Sequence, residues 1–200
     1  MKKIVLIAAS LFMIVGCGKK DEMKLQEIIT QTENAVKPLN KEAALAYWNG
    51  TITGDPAEFQ KYSDANIKIT KIYSNAETFA KLKEIKENGS VKDPVLKREL
   101  TVLYNSFLAN QVDTALLNDI IMRSSALEQK YAEYRAKSRG KEISDNDVEK
   151  ILQTSTDNKE LEEVWVAHKE IGPFVATDVI ELIKQRNKVA ASLGYDNYHT

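Results

Sequence analysis

Residues 161–200, LEEVWVAHKEIGPFVATDVIELIKQRNKVAASLGYDNYHT, decide how the chain is read. Apolar residues recur here at three- and four-residue intervals, the spacing of one helical face. Leu161, Val164, Trp165, His168 and Ile171 form one row, and Val179, Ile180, Ile183, Ala190 and Ala191 form another. Gly172-Pro173 is the expected joint between two amphipathic helices, because proline interrupts a helix interior. Gly194 is the expected stop of the second helix, followed by the aromatic tail Tyr195-Asp196-Asn197-Tyr198.

The same period extends upstream. Leu25, Ile28, Ile29, Thr32, Val36 and Leu39 define a helical face, which Pro38 is expected to end or kink. Asn40 then caps a helix over residues 41–48, and Asn49-Gly50 with Thr53-Gly54 make a turn. Asp55-Pro56-Ala57-Glu58 reads as a helix start: a capping aspartate, a proline where no amide donor is needed, and a glutamate closing a capping box. That helix is expected to reach Tyr73 with Phe59, Tyr62, Ile69, Ile72 and Tyr73 inward. Asn75 opens another that stops at Asn88-Gly89, and Asp93-Pro94 opens one passing through Leu100 and Phe107. Asp113 starts the longest helix, predicted to reach Ser138 with Leu117, Ser124, Leu127 and Tyr134 on one seam, and Gly140 ends it. Lys141-Glu142-Ile143 is a connector that allows a brief strand. Ser144 with Asp147 opens a short helix to Gln153, and Ser155 or Thr156 caps the helix containing Trp165. The fold class is all-α, about eight amphipathic helices joined by short loops.

The 200 residues suit one domain or part of a larger one. With 28 basic against 29 acidic residues, the formal charge of -1 argues against a nucleic-acid partner, which needs a clustered positive face. Cys17 is the single cysteine, so no internal disulfide can form. It follows a basic start, Met1-Lys2-Lys3, and an apolar run over residues 4–15 of signal-peptide length. That run is short of the roughly 20 residues a membrane span takes. Ile14-Val15-Gly16-Cys17 looks like a bacterial lipobox. The expectation is a signal peptide over 1–16, a lipid on Cys17 that anchors the chain to a membrane, a tether over 17–21, and a folded helical part over 22–200. The protein would sit in the bacterial cell envelope, facing the periplasm or the cell exterior.

Few residues carry a signature of chemistry. A helical zinc peptidase site needs two histidines four apart with a glutamate beside the first. No H-E-x-x-H occurs, and His168 and His199 lie far apart in the chain. His168 shares a face with apolar residues and reads as a hydrogen-bonded core or boundary residue; nothing around His199 defines a role. The carboxylates Glu160, Glu162, Glu163, Glu170, Asp178 and Glu181 fall mostly on polar helix faces. No nucleophile elbow, phosphate-binding loop or dinucleotide fingerprint is present. Arg186-Asn187 interrupts an apolar face, and a charge there needs a partner. Arg186, Asn187 and His168 are therefore candidates for a structural polar network, with a substrate or anion contact as the other reading. No catalytic and no metal-binding residue is assigned.

A family resemblance runs along the chain in order. Leu45-Ala46-Tyr47-Trp48 with Thr51-Ile52-Thr53 looks like the early tryptophan-bearing helix of the angiotensin-converting-enzyme family of zinc peptidyl-dipeptidases. Residues 152–165, with Ser155, Lys159-Glu160-Leu161 and Trp165, resemble a further region of that family. Ile180-Glu181-Leu182, Arg186-Asn187-Lys188-Val189-Ala190 and Leu193-Gly194-Tyr195 are similar to its next helix and turn, a piece shared more loosely with oligoendopeptidase F and thimet oligopeptidase. The resemblance implies a helical ellipsoid with a deep channel, whose amino-terminal helices form a lid admitting short peptides. It also implies zinc in the full-length enzyme, polarising the scissile carbonyl while a glutamate acts as general base. The zinc motif has no counterpart here, so this chain reads as the front, lid-bearing part of a larger peptidase that binds no metal itself. An oligoendopeptidase fragment and a non-catalytic helical lipoprotein that binds a partner or ligand are the alternatives. A front part of this kind is expected to leave apolar surface uncovered.

Overall fold

The computed structural model describes the backbone of residues 2–199 and the side chains of residues 19–199. Residues 1–16, expected to be a signal peptide, and Cys17, the expected lipid-attachment point, lie outside the described side chains. The elements are α1 (Lys2–Thr53), α2 (Pro56–Tyr73), α3 (Ala76–Asn88), α4 (Pro94–Leu108), α5 (Thr114–Glu133), β1 (Ala136–Ser138), β2 (Lys141–Ile143), α6 (Asp145–Thr154), α7 (Asn158–Lys169) and α8 (Ile171–Ser192). The fold is all-α, with one two-stranded ribbon. Among the described residues no helix is long and apolar enough to cross a membrane.

The capping residues act where the local chemistry places them. Asp55 accepts from the Ala57 amide, Asn75 from Thr78, Asp93 from Val95 and Leu96, and Asp113 from Leu116. Each bond satisfies an amide that the first helical turn leaves without a partner. Ser144 and Asp147 form a reciprocal capping box at α6. Gly89, at φ 59°, ends α3 in the left-handed conformation that favours glycine.

Pro38 does not end α1, and Asn40 caps nothing there; the helix continues to Thr53. Proline removes one donor, to the carbonyl of Asn34 one turn back, but both residues are exposed, so water can satisfy that carbonyl. Along α1 the buried residues Leu25, Ile28, Ile29, Thr32, Val36, Ala43 and Ala46 keep one face through the proline. Burial along that single face holds the helix together across the missing bond. Leu25, Ile28 and Ile29 pack with Leu82 and Ile85 of α3 and with Leu100 and Phe107 of α4, forming the main core. The second half of α1 carries Ala43, Ala46 and Gly50, small residues that let α2 approach closely. A Cβ on Gly50 would stand 3.1–3.3 Å from the ring of Phe59, which is itself buried.

The order across the body is therefore α3 and α4 on α1, then α2 on α1, α5 on α2, and α8 on α5. A second, smaller core lies beyond the end of α5. Ala136, Val148 and Val164 form it, with Tyr134, Ile143, Ile151 and Ala167 packed around them. Here α5 ends at Glu133 rather than Ser138. The residues expected to prolong it form β1, paired antiparallel with β2 through Ala136–Ile143 and Ser138–Lys141. Arg139 and Gly140 both have positive φ, 50° and 74°, so Gly140 serves the ribbon's turn and not a helix end.

Three further boundaries differ from the sequence reading. Glu58 closes no capping box, because its carboxylate accepts instead from Asn49 and Lys61. Asp157 caps α7 by accepting from the Lys159 amide, while Ser155 donates to Glu160. The break between α7 and α8 falls at Glu170, and Gly172-Pro173 lies in the first turn of α8, where a proline needs no donor.

Candidate functional site

Packing of α5 against α8 leaves a groove on the surface of the body. A cavity of 580 Å³ lies between the two helices, with Ser124 and Glu128 on α5, Arg186 and Asn187 on α8, and Tyr198 and His199 of the tail along its walls. A second cavity of 530 Å³ continues along α5 toward the start of α6, lined by Tyr47, Ile52, Tyr131, Arg135 and Asp145. Glu128 borders both. Its carboxylate accepts from the Tyr47 hydroxyl at 3.2 Å, which ties α5 to α1. Burial, reinforced by this carboxylate, pushes the Tyr47 hydroxyl's pKa above its usual value, so it remains a neutral donor.

Sequence reasoning missed Tyr47 and Glu128 as a pair. They lie on different helices, and the Tyr47 signal was only that of an aromatic residue beside Trp48.

Arg186 and Asn187 come together at the chain's own tail. The Arg186 guanidinium sits 5.6 Å from the centre of the Tyr198 ring, and Asn187 Oδ1 accepts from the Tyr198 amide at 3.1 Å. Arg186 follows Leu182 by one turn on the buried side of α8, where Leu182, Val189 and Ala190 are the buried residues. Ile180 and Ile183, expected inward, are about half exposed, at 52% and 47%. The apolar face is rotated relative to the expectation, and Arg186 falls near its middle.

His168 stands apart from that pair. It belongs to the smaller core's module, with Nε2 3.9 Å from an Asp145 carboxylate oxygen. No hydrogen bond joins it to Arg186 or Asn187 among the described residues. Trp165, expected inward beside it, is exposed at 53%, while Val164 is buried. His199 follows the tail, its amide donating to Asn197 Oδ1.

The polar centre of the module is Glu163. Its carboxylate accepts from Ser138 Oγ at 3.1 Å, the Arg139 amide at 2.9 Å and Arg139 Nε at 3.0 Å. The Arg139 guanidinium in particular holds the Glu163 carboxyl below the ordinary carboxylate range. This cluster fastens the ribbon's turn to α7.

Arg186 lies on the wall of the first cavity, and Glu128 stands where the two cavities adjoin. Ser124 has no general base bonded to it, and among the described residues no three His, Cys, Asp or Glu side chains converge as a metal site. The described residues do not fit zinc: Asp145 is the carboxylate within 4 Å of His168, and His199 sits in another part of the chain.

The structure is that of a helical scaffold with two adjoining surface cavities along α5. The family model for angiotensin-converting enzyme matches residues 19–200, nearly the whole chain. The chain belongs to that family of metallopeptidases. No curated protein matches it.

Proposed function

We propose that this chain is the amino-terminal, lid-bearing part of a zinc peptidyl-dipeptidase that hydrolyses short peptides outside the cytoplasm, anchored through lipid on Cys17. The family match over residues 19–200 supports the peptidase part of this reading, and the lipobox-like Ile14-Val15-Gly16-Cys17 is what supports the anchor. The zinc ligands lie in polypeptide other than these residues, and the helices described here shape access to them. Exposed apolar side chains support the idea of further packing. Ile52 on α1, 65% exposed, and Tyr131 of α5 line the second cavity, Ile183 of α8 lines the first, and Trp48 of α1 is 64% exposed. Large apolar side chains grouped in this way mark surfaces that meet another surface.

The test is to read the coding sequence beyond the codon for Thr200 and express the complete frame. An H-E-x-x-H motif downstream, with chelator-sensitive release of carboxy-terminal dipeptides from a short peptide, is the expected result. A stop codon at that point, with a stable product that cleaves nothing, would instead favour a non-catalytic helical lipoprotein. Internal cuts would move the enzyme to the oligoendopeptidase branch.

A further inference from the structure

We propose that the surface formed by residues 19–22 of α1 and the α3–α4 loop is a docking face for an anionic phospholipid bilayer. Asp21 is buried and accepts from Ser90 Oγ at 2.6 Å and Asn88 Nδ2 at 3.2 Å. Glu22 Oε1 accepts from the amides of Lys92 at 2.8 Å and Asp93 at 3.2 Å. Asp93 in turn caps α4, and Glu87 lies 3.9 Å from Lys83. Asp21, Glu22 and Asp93 thus each accept from donors within the protein.

The lysines of this surface are placed differently. Lys19, Lys20 and Lys92 are exposed, and among the described residues no carboxylate lies within 4 Å of their ammonium groups. Lys92 Nζ donates only to the Gly89 carbonyl. Lys24, one turn on, shares a groove with Glu27 and Glu84 and so adds little net charge. The clamp at Asp21 and Glu22 fastens the segment of α1 that carries Lys19 and Lys20 to the loop that carries Lys92.

The setting rests on the lipid-anchor reading, because Cys17 precedes Lys19 by only two positions in the sequence. A lipid there would bring Lys19 and Lys20 to within a Debye length of lipid headgroups. Each lysine near an anionic surface is worth about fivefold in partitioning.

The experiment uses the processed chain, residues 17–200, with Cys17→Ser; every core residue lies between Leu25 and Ala190. Sedimentation with phosphatidylcholine vesicles, with and without phosphatidylglycerol, reads the partitioning. Binding should require phosphatidylglycerol, weaken with added salt, and fall about a hundredfold when Lys19, Lys20 and Lys92 become Gln. The same change at Lys159, Lys184 and Lys188, with a matched loss of charge, should leave it unaltered. Equal binding to both vesicle types, no binding at low salt, or equal loss in both triple variants would overturn the proposal. No acyl chain is present in this assay, so failure of the lipid anchor would show separately, as absent fatty-acid labelling of Cys17 in cells.

Discussion

The hydroxyl of Ser125 donates to the carbonyl of Phe59 at 3.0 Å, a buried bond fastening α5 to α2. Ser63 donates to the same carbonyl at 3.1 Å. Removing one donor leaves the oxygen still paired, so Ser125→Ala should lower stability by only about 1 kcal/mol. Urea unfolding is the measurement, and a loss of several kcal/mol would show that the bond does more than join two helices.

The ring of the same Phe59 limits what can replace Gly50. Alanine gains about 1 kcal/mol in helix preference over glycine, but its Cβ meets the ring at 3.1–3.3 Å, so Gly50→Ala should come out near neutral. Gly50→Leu should cost about 2–3 kcal/mol by forcing α1 and α2 apart. Thermal unfolding of the pair tests this, and a well-tolerated leucine would refute the close approach.

Asp21 makes the clamp pH-sensitive. The Ser90 hydroxyl, outweighing burial, holds the carboxyl below its ordinary value of 3.8. A group whose pKa is depressed in the folded state contributes stability above its unfolded value and loses it as pH falls through the folded one. The clamp should therefore be complete at neutral pH and fail only below about pH 4. Asp21→Asn should flatten the acid limb of a stability–pH curve, and an unchanged limb would count against the assignment.

Arg139 combines a φ of 50° with the bonds to Glu163. Alanine keeps the strained backbone and loses the side-chain bonds, whereas glycine relieves the strain. Arg139→Ala should thus lower the melting temperature more than Arg139→Gly does. Glu163→Ala should speed hydrogen exchange in the ribbon while leaving the α1–α3–α4 core protected. Uniform acceleration would mean that the two cores unfold as one.

The described side chains offer zinc no set of ligands. Calorimetric titration of zinc into this chain should show no stoichiometric binding, and His168→Ala should leave the trace unchanged. Tight binding abolished by that substitution would overturn the account of the site.

Helix starts were legible because their chemistry is local: Asp55-Pro56, Asn75, Asp93-Pro94, Asp113 and Ser144 each satisfy amides two or three residues away. Pro38 misled because its local cost is outweighed by a face buried along the whole of α1. The ribbon was half visible at Lys141-Glu142-Ile143, but its partner strand was hidden in what looked like the last turn of α5. Which of Val164 and Trp165 turns inward depends on the small core they pack against, and adjacent apolar residues do not reveal it. The candidate groove was legible only at Arg186 and Asn187. Tyr47 and Glu128 meet across 81 positions of chain, a separation no periodicity reports.

The rings of Tyr134 and Phe174 lie 5.8 Å apart, and the Tyr134 hydroxyl donates to the Ala167 carbonyl. The chain leaves the helical body at the first aromatic residue and rejoins it at the second. Everything between them, the ribbon with α6 and α7, is a closed excursion with a core of its own. Such a loop can lengthen, shrink or be exchanged while α5 and α8 keep their contact, because its two ends are already neighbours. The groove along α5 ends against this excursion, so its reach can change while the body that forms its walls does not.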